Sequence, residues 1–227
     1  MSDIVVIDYG MGNLRSVAKA IEHVAPGKTV AVSSDPGLIR RASRVVFPGQ
    51  GAMPDCMREL DARNLRAAVI EAAHSKPFLG LCIGLQMLFD HSEEGDVPGL
   101  GLVHGKVVRF QSADLFDESG AKLKIPHMGW NEVYQTFAHP LWAGIPDASR
   151  FYFVHSYHVR VDNERLSAGL SRYPFPFTCA VARNNIFAVQ FHPEKSQTAG
   201  LQLLSNFVRW DGDFSPQSVT ALGTANA

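Results

Sequence analysis

The N-terminal part of the chain alternates short β-branched runs with glycine turns and stretches of helical period, and that alternation leaves few folds open. Ile4 to Ile7 is a continuous apolar run ending at Asp8. Tyr9-Gly10-Met11-Gly12-Asn13 follows, and then Leu14, Val17, Ala18 and Ile21 recur at helical spacing. The pattern returns with a strand at Thr29 to Val32 before a helix at Asp35 to Ala42, and with a strand at Arg44 to Phe47 before a glycine loop. It returns again with a strand at Phe78 to Leu81 before a helix at Ile83 to Asp90. Apolar runs without alternation are buried on both faces, and strands joined through helices make right-handed crossovers. The expectation is an α/β fold with a mainly parallel central sheet flanked by helices.

From about Gly105 to Ala188 the texture changes. Shorter strands at Lys106 to Phe110, Asn131 to Tyr134, Arg150 to Val161 and Thr178 to Ala182 read as antiparallel structure appended to the same sheet. A closing helix from Thr198 to Trp210 carries Leu201, Leu204 and Val208 on its apolar stripe. With 227 residues and no linker in view, the reading is one domain over residues 1–212. Residues 213–227 are rich in Ser, Thr, Gln, Gly and Ala without periodicity and are expected to form a disordered tail.

Charge and cysteine usage exclude several function classes. The 21 basic and 22 acidic residues give a net charge of -1 with no long run of either sign, so a nucleic-acid footprint is not expected. The three cysteines, Cys56, Cys82 and Cys179, have no CxxC spacing, which argues against a disulfide framework or a structural metal. No metal or cofactor is expected. The N-terminus is acidic where a signal peptide needs basic residues, and the apolar stretch Pro77 to Phe89 falls short of the ~18 residues of a membrane span. A cytoplasmic protein with no membrane contact is expected.

Gly80-Leu81-Cys82-Ile83-Gly84 sits where a buried strand must turn sharply into a helix. Glycines on both sides permit the turn, the strained geometry pushes Cys82 out over the sheet edge, and the helix N-terminus favours its thiolate. The alternative is a buried cysteine packed as a small hydrophobe. A nucleophile needs a base, and Phe187 to Phe191 reads as a strand ending at His192 on the same sheet edge. Glu194, two residues on past Pro193, can fix the imidazole tautomer, completing a Cys82, His192 and Glu194 triad. Phe47-Pro48-Gly49-Gln50-Gly51-Ala52 leaves another parallel strand at that edge. Its main chain at Gln50 and Gly51, with the N–H of Ile83, can supply an oxyanion hole; an ordinary turn is the other reading. The Gly10 and Gly12 loop lacks the third glycine of GxGxxG and a P-loop lysine, so a nucleotide site is not expected.

The Gly-x-Cys-x-Gly-x-Gln run at Gly80 to Gln86, together with Gln190-Phe191-His192-Pro193-Glu194, resembles the class I (triad) glutamine amidotransferases over residues 4 to about 210. The fold implied is flavodoxin-like with appended antiparallel strands. The activity implied is attack of Cys82 on the side-chain amide of glutamine, giving a γ-glutamyl thioester and ammonia, with His192 as acid and base. By motif match, Gln86 and the main chain at Ser156 and Tyr157 would hold the α-amino and α-carboxylate groups. Ile7 to Leu14, Pro126 to Asn131 and Tyr152 to Tyr157 resemble the branch that passes ammonia to a (β/α)8-barrel cyclase partner in histidine biosynthesis, as a heterodimer. Asn13, Trp130, Asn131 and Lys195 match its partner surface. Gln50 stands where valine is frequent in the Pro-Gly-x-Gly loop, and Leu81, Ile83 and Leu85 replace Ile, Leu and Met. Two alternatives remain in the same fold: another triad amidotransferase, and a stand-alone γ-glutamyl cysteine hydrolase. A non-enzymatic binding module is a third, which an unreactive Cys82 would favour. Against the stand-alone hydrolase stands the aromatic loop read at Pro126 to Asn131, natural at an interface.

Overall fold

A computed structural model of the chain describes residues 2–111, 116, 120 and 122–214. The β-branched runs become short strands at Ile4–Ile7 (β1), Val30–Ser33 (β2), Arg44–Phe47 (β3) and Phe78–Leu81 (β4). A fifth lies far along the chain at Ile186–Val189 (β13), and the five pair in parallel in the order β2-β1-β3-β4-β13. This is the doubly wound order of flavodoxin-like sheets, in which ligands sit beyond the C-terminal strand ends.

Alternate residues of β1 serve the two faces. Ile4 and Val6 join the core under the helices Leu14–Val24 (α1) and Gln197–Arg209 (α6), and Val5 and Ile7 join the core on the other face. That second face is covered by Pro36–Arg41 (α2), Met53–Ala62 (α3) and Arg66–Ser75 (α4). The sequence reading passed over α3 and α4, although Met53, Cys56, Met57 and Leu60 form a buried stripe at helical spacing.

Beyond β13 the sheet continues antiparallel through Pro176–Arg183 (β12), Tyr157–Val161 (β10) and Val103–Arg109 (β7). It then reaches Phe89–Ser92 (β5), parallel to β7, and Val97–Pro98 (β6). Ser167–Arg172 (β11) joins β12 to His127–Gln135 (β8), which pairs along its length with Ser149–His155 (β9).

Four expectations change. The helix expected from Ile83 to Asp90 is a single turn, Ile83–Gln86 (α5). The carbonyls of Met87 and Leu88 accept instead from Leu100, Leu102 and Val103, and Phe89 is drawn into the sheet beside Val103. The strand expected over Arg150 to Val161 is two strands broken at Ser156, because β9 pairs with β8 while β10 pairs with β7 and β12. His127 to Asn131, read as part of a loop, opens β8, with Met128 62% and Trp130 39% exposed on its outer side. Asp213 and Phe214, expected in the tail, are held: Trp210 Nε1 donates to the Asp213 carbonyl, and the Phe214 ring stacks 5.5 Å from Phe137. The remainder of the expected tail, 215–227, lies outside the described residues.

Candidate active site

Cys82 stands at the end of β4 with φ 55° and ψ -110°, a conformation few non-glycine residues adopt. The strain persists because its surroundings over-determine it. The Cys82 N–H donates to the Val189 carbonyl at 2.8 Å, continuing the β4–β13 ladder into the turn. A Cβ on Gly84 would lie 1.9 Å from the Phe47 carbonyl oxygen, and one on Gly80 would lie 2.9 Å from the Ala188 Cβ. Both glycines are therefore demanded by close approach. With α5 only one turn long, its macrodipole adds little, and what it offers the site is the Ile83 N–H at its head.

His192 follows β13 and is anchored by its own N–H to the Tyr152 carbonyl at 2.9 Å. Its Nδ1 lies 2.9 Å from Glu194 Oε1, and the two side chains are 4% and 2% exposed. The turn Pro193–Lys195 folds the carboxylate back beneath the ring, so the two-residue spacing brings both groups to one place. Burial alone would push the His192 pKa down, but the charge on Cys82 and the hydrogen-bonded Glu194 carry it up to about 10. Cys82 and His192 line one cavity of about 320 Å³, together with Gln50, Gly51, Ile83 and Gln86. The sheet edge thus brings Cys82 and His192 to one cavity, with Glu194 paired to His192.

The loop after β3 is held from both sides. Tyr9 Oη donates to the Pro48 carbonyl at 2.9 Å, and the Cys56 thiol donates to the Gln50 carbonyl at 3.5 Å. Burial pushes the Tyr9 pKa well up and that of Cys56 to about 11, so both remain protonated donors at neutral pH. In a trans peptide the N–H opposes the preceding C=O, so the Gly51 N–H points away from Cys56. Gly51 has φ +106°, and a Cβ there would meet Met11 Cε at 2.8 Å. The Tyr9 to Asn13 loop thus braces the Gly49 to Gly51 loop, a role sequence reading did not find.

On the cavity wall, Gln86 is buried, with its Nε2 donating to the Tyr157 carbonyl at 3.2 Å and to Gln190 Oε1 at 2.9 Å. Its Oε1 has no hydrogen-bond partner among the described residues, an acceptor waiting for a donor. Ser156 and Tyr157 line the same cavity. So does Glu94, whose Oε2 accepts from the Met53 N–H at 2.8 Å at the start of α3. Glu94 and Gln190 were not assigned roles from sequence. Gln190 Nε2 lies 3.8 Å from Cys82 Sγ and donates to it.

Three of the four expected partner-surface residues lie on this side of the molecule. Trp130 packs edge-on to Tyr152 at 6.2 Å, and Lys195 Nζ lies 5.8 Å from the same ring. Asn13 borders a narrow cleft with Glu194 and Gln50. The Asn131 amide bonds to the Arg172 carbonyl and to His127, because the β8 pleat alternates Trp130 outward with its neighbour inward. Among the described residues there is no group of three or more His, Cys, Asp or Glu placed to hold a metal, and no helix long and apolar enough to cross a membrane.

The family model described as Glutamine amidotransferase class-I matches residues 5–210. The imidazole glycerol phosphate synthase subunit HisH of Aromatoleum aromaticum is 68% identical over 210 residues, which cover 92% of this chain and 99% of that protein. The same subunit of Thiobacillus denitrificans is 66% identical, covering 92% of each chain. Among solved structures, a putative GMP synthase subunit from Thermoplasma acidophilum aligns with TM-score 0.68 at 18% identity, covering 92% of this chain and 93% of its own. A glutamine amidotransferase from Thermotoga maritima aligns with TM-score 0.56 at 16% identity, covering 85% of this chain and 76% of its own. These two likenesses speak for the fold.

Proposed function

The chain belongs to the class I glutamine amidotransferase family, and from that premise we propose that it is the glutaminase subunit of imidazole glycerol phosphate synthase. The observation that carries the chemistry is the convergence of Cys82, of His192 backed by Glu194, and of the loop at Gln50 and Gly51 on one cavity at the C-terminal sheet edge. Cys82 thiolate attacks the side-chain amide carbon of glutamine. The oxygen that becomes negative is received by the N–H groups of Ile83 and of the loop at Gln50 and Gly51. His192 gives its Nε2 proton to the departing nitrogen, and ammonia leaves a γ-glutamyl thioester on Cys82. A water molecule, deprotonated by the now neutral His192, attacks the thioester and releases glutamate. Glu194 keeps the ring aimed throughout.

The pocket accounts for the amino-acid end of the substrate. An α-ammonium group would be matched by the Glu94 carboxylate, which shares the cavity wall with Gln86. The main chain at Ser156 and Tyr157 is left to receive the α-carboxylate.

The ammonia is consumed by a cyclase subunit, in this reading a (β/α)8 barrel, which forms imidazole glycerol phosphate and aminoimidazole carboxamide ribotide in the cytoplasm. Exposed Met128 and Trp130 on β8, beside Lys195 over Tyr152, favour this over a stand-alone hydrolase, since such a patch is natural beneath a partner. The test is glutamate formation from glutamine by the chain combined with its cyclase, before and after a chloroketone analogue of glutamine. Release of glutamate, lost on alkylation at Cys82, supports the proposal; labelling elsewhere with activity retained would overturn it.

A further inference from the structure

Asn131, His127 and His155 form a hydrogen-bonded line from β8 to the floor of the cavity, and its two ends fix every proton in it. At the outer end, Asn131 Nδ2 donates to the Arg172 carbonyl at 2.9 Å, while its Oδ1 accepts from the Glu132 N–H. The amide is thereby oriented, and its second hydrogen faces His127 Nε2 at 3.2 Å. That ring nitrogen is the acceptor. At the inner end, His155 Nδ1 lies 2.7 Å from the Tyr157 carbonyl oxygen, which can only accept, so Nδ1 carries the hydrogen. Between the rings His127 Nδ1 and His155 Nε2 are 2.9 Å apart. Reasoned from either end, His127 donates and His155 accepts. Both rings are neutral Nδ1–H tautomers, since a proton added to either would set N–H against N–H. Burial agrees, pushing His127 down to about 4 and, with help from the neighbouring imidazoles, His155 down to about 3.

The Tyr157 carbonyl is shared: its second bond comes from Gln86 Nε2, whose other hydrogen goes to Gln190. We propose that His127 and His155 are positioning residues for the glutamine site, fixing the Tyr157 carbonyl that, with Gln190 Oε1, holds both hydrogens of the Gln86 amide and so sets the place of its unpartnered oxygen. This deepens the glutaminase reading and rests on it. Were the carbonyl displaced, Gln190 Oε1 alone would oppose the flipped amide, which turns an NH₂ group to where the oxygen stood. Packing does not require imidazoles here. His127 stacks 4.0 Å from Tyr173, and His155 lies among Phe110, Phe153 and Phe177, a setting phenylalanine would fill.

The test compares His155→Phe with His155→Asn in the complex with the cyclase. Phenylalanine keeps the ring and loses the donor; asparagine loses the ring but places an N–H near the Nδ1 position. Positioning predicts that KM for glutamine rises about tenfold in His155→Phe, kcat changes less, and His155→Asn recovers most of the loss. The reverse order, with His155→Phe near normal and His155→Asn impaired, overturns it. A second readout needs no activity and no variant. Nitrogen NMR of the full chain at neutral pH should find His127 and His155, among the 9 histidines, as neutral Nδ1–H tautomers. Either ring found protonated, or as Nε2–H, overturns the inference. Should the wild-type complex release no glutamate at all, the glutaminase reading fails instead, and the NMR result alone decides the histidine pair.

Discussion

At His192, burial and neighbouring charge act in opposite directions, and the balance sets what the residue can do. Burial favours a neutral ring; the Cys82 charge and Glu194 favour the cation and win, raising the pKa to about 10. The imidazolium is therefore present at neutral pH and is lost as pH rises through that value. Its stability depends on the sulfur, so Cys82→Ala should drop the His192 pKa by removing the leading opponent of burial, a shift that NMR titration reads directly. An unchanged pKa would mean that the two groups are not coupled. Catalytically, His192→Ala should cost a factor of at least ~100. Glu194→Gln keeps an acceptor for Nδ1–H but removes the charge, and should cost less. The cysteines supply an internal contrast. Cys56 and Cys179 are buried thiols with raised pKa values, so brief alkylation with iodoacetamide at neutral pH should modify Cys82 alone, as mass spectrometry of the digest would reveal. Uniform labelling, or none, would speak against an activated nucleophile.

At the scale of elements, two glycines in the site have different reasons to be glycine, and their substitutions should separate. Gly84 presses against the Phe47 carbonyl, where a Cβ would sit at 1.9 Å from main chain that cannot yield. Gly84→Ala should therefore destabilise the fold by ~3 kcal/mol or more, measured as a shift in the denaturant midpoint. Gly51 is exposed with φ +106°, and its neighbour is the flexible end of Met11. Gly51→Ala should cost only ~1–2 kcal/mol of stability while reducing kcat by ~10² or more, as the loop turns its N–H away. The same elements mark where sequence sufficed. The elbow was legible because five consecutive residues encode strand, turn and nucleophile, and His192 and Glu194 because one turn contains both. The one-turn length of α5 was not, since it ends where Val103, far along the chain, captures Phe89. Nor was the bracing of the Gly49 to Gly51 loop by Tyr9, or the capture of Glu94 at the head of α3, which depend on contacts between distant segments.

For the whole molecule, the sheet sets a division of labour. In the proposed reading the cavity makes the ammonia and synthesis belongs to the cyclase subunit. Cys82→Ser should abolish glutamine-dependent synthesis by the complex and leave ammonia-dependent synthesis largely intact; equal loss of both would end the proposed division. A glutaminase acting without its synthase would waste glutamine, and the loop at Gly49 to Gly51 is the proposed place of control. It lies between the cavity and the narrow cleft bordered by Asn13, so a partner touching Asn13 would act on the other side of the proposed oxyanion donors. The peptides that carry the Pro48 and Gln50 carbonyls are pinned, and glycines on either side of Gln50 lower the barrier to rotating the one peptide between them, Gly49–Gln50. Removing a single oxyanion donor costs ~10² to 10³ in rate, about 3 to 4 kcal/mol, enough to separate an idle state from an active one. The isolated chain should therefore bind glutamine but hydrolyse it slowly, with the rate rising on docking of the cyclase and again when the cyclase holds its own ligand. Steady-state glutamate formation in those three states is the measurement. If the isolated chain already turns over at the rate of the liganded complex, the loop is a fixed oxyanion hole and the partner governs only where the ammonia goes.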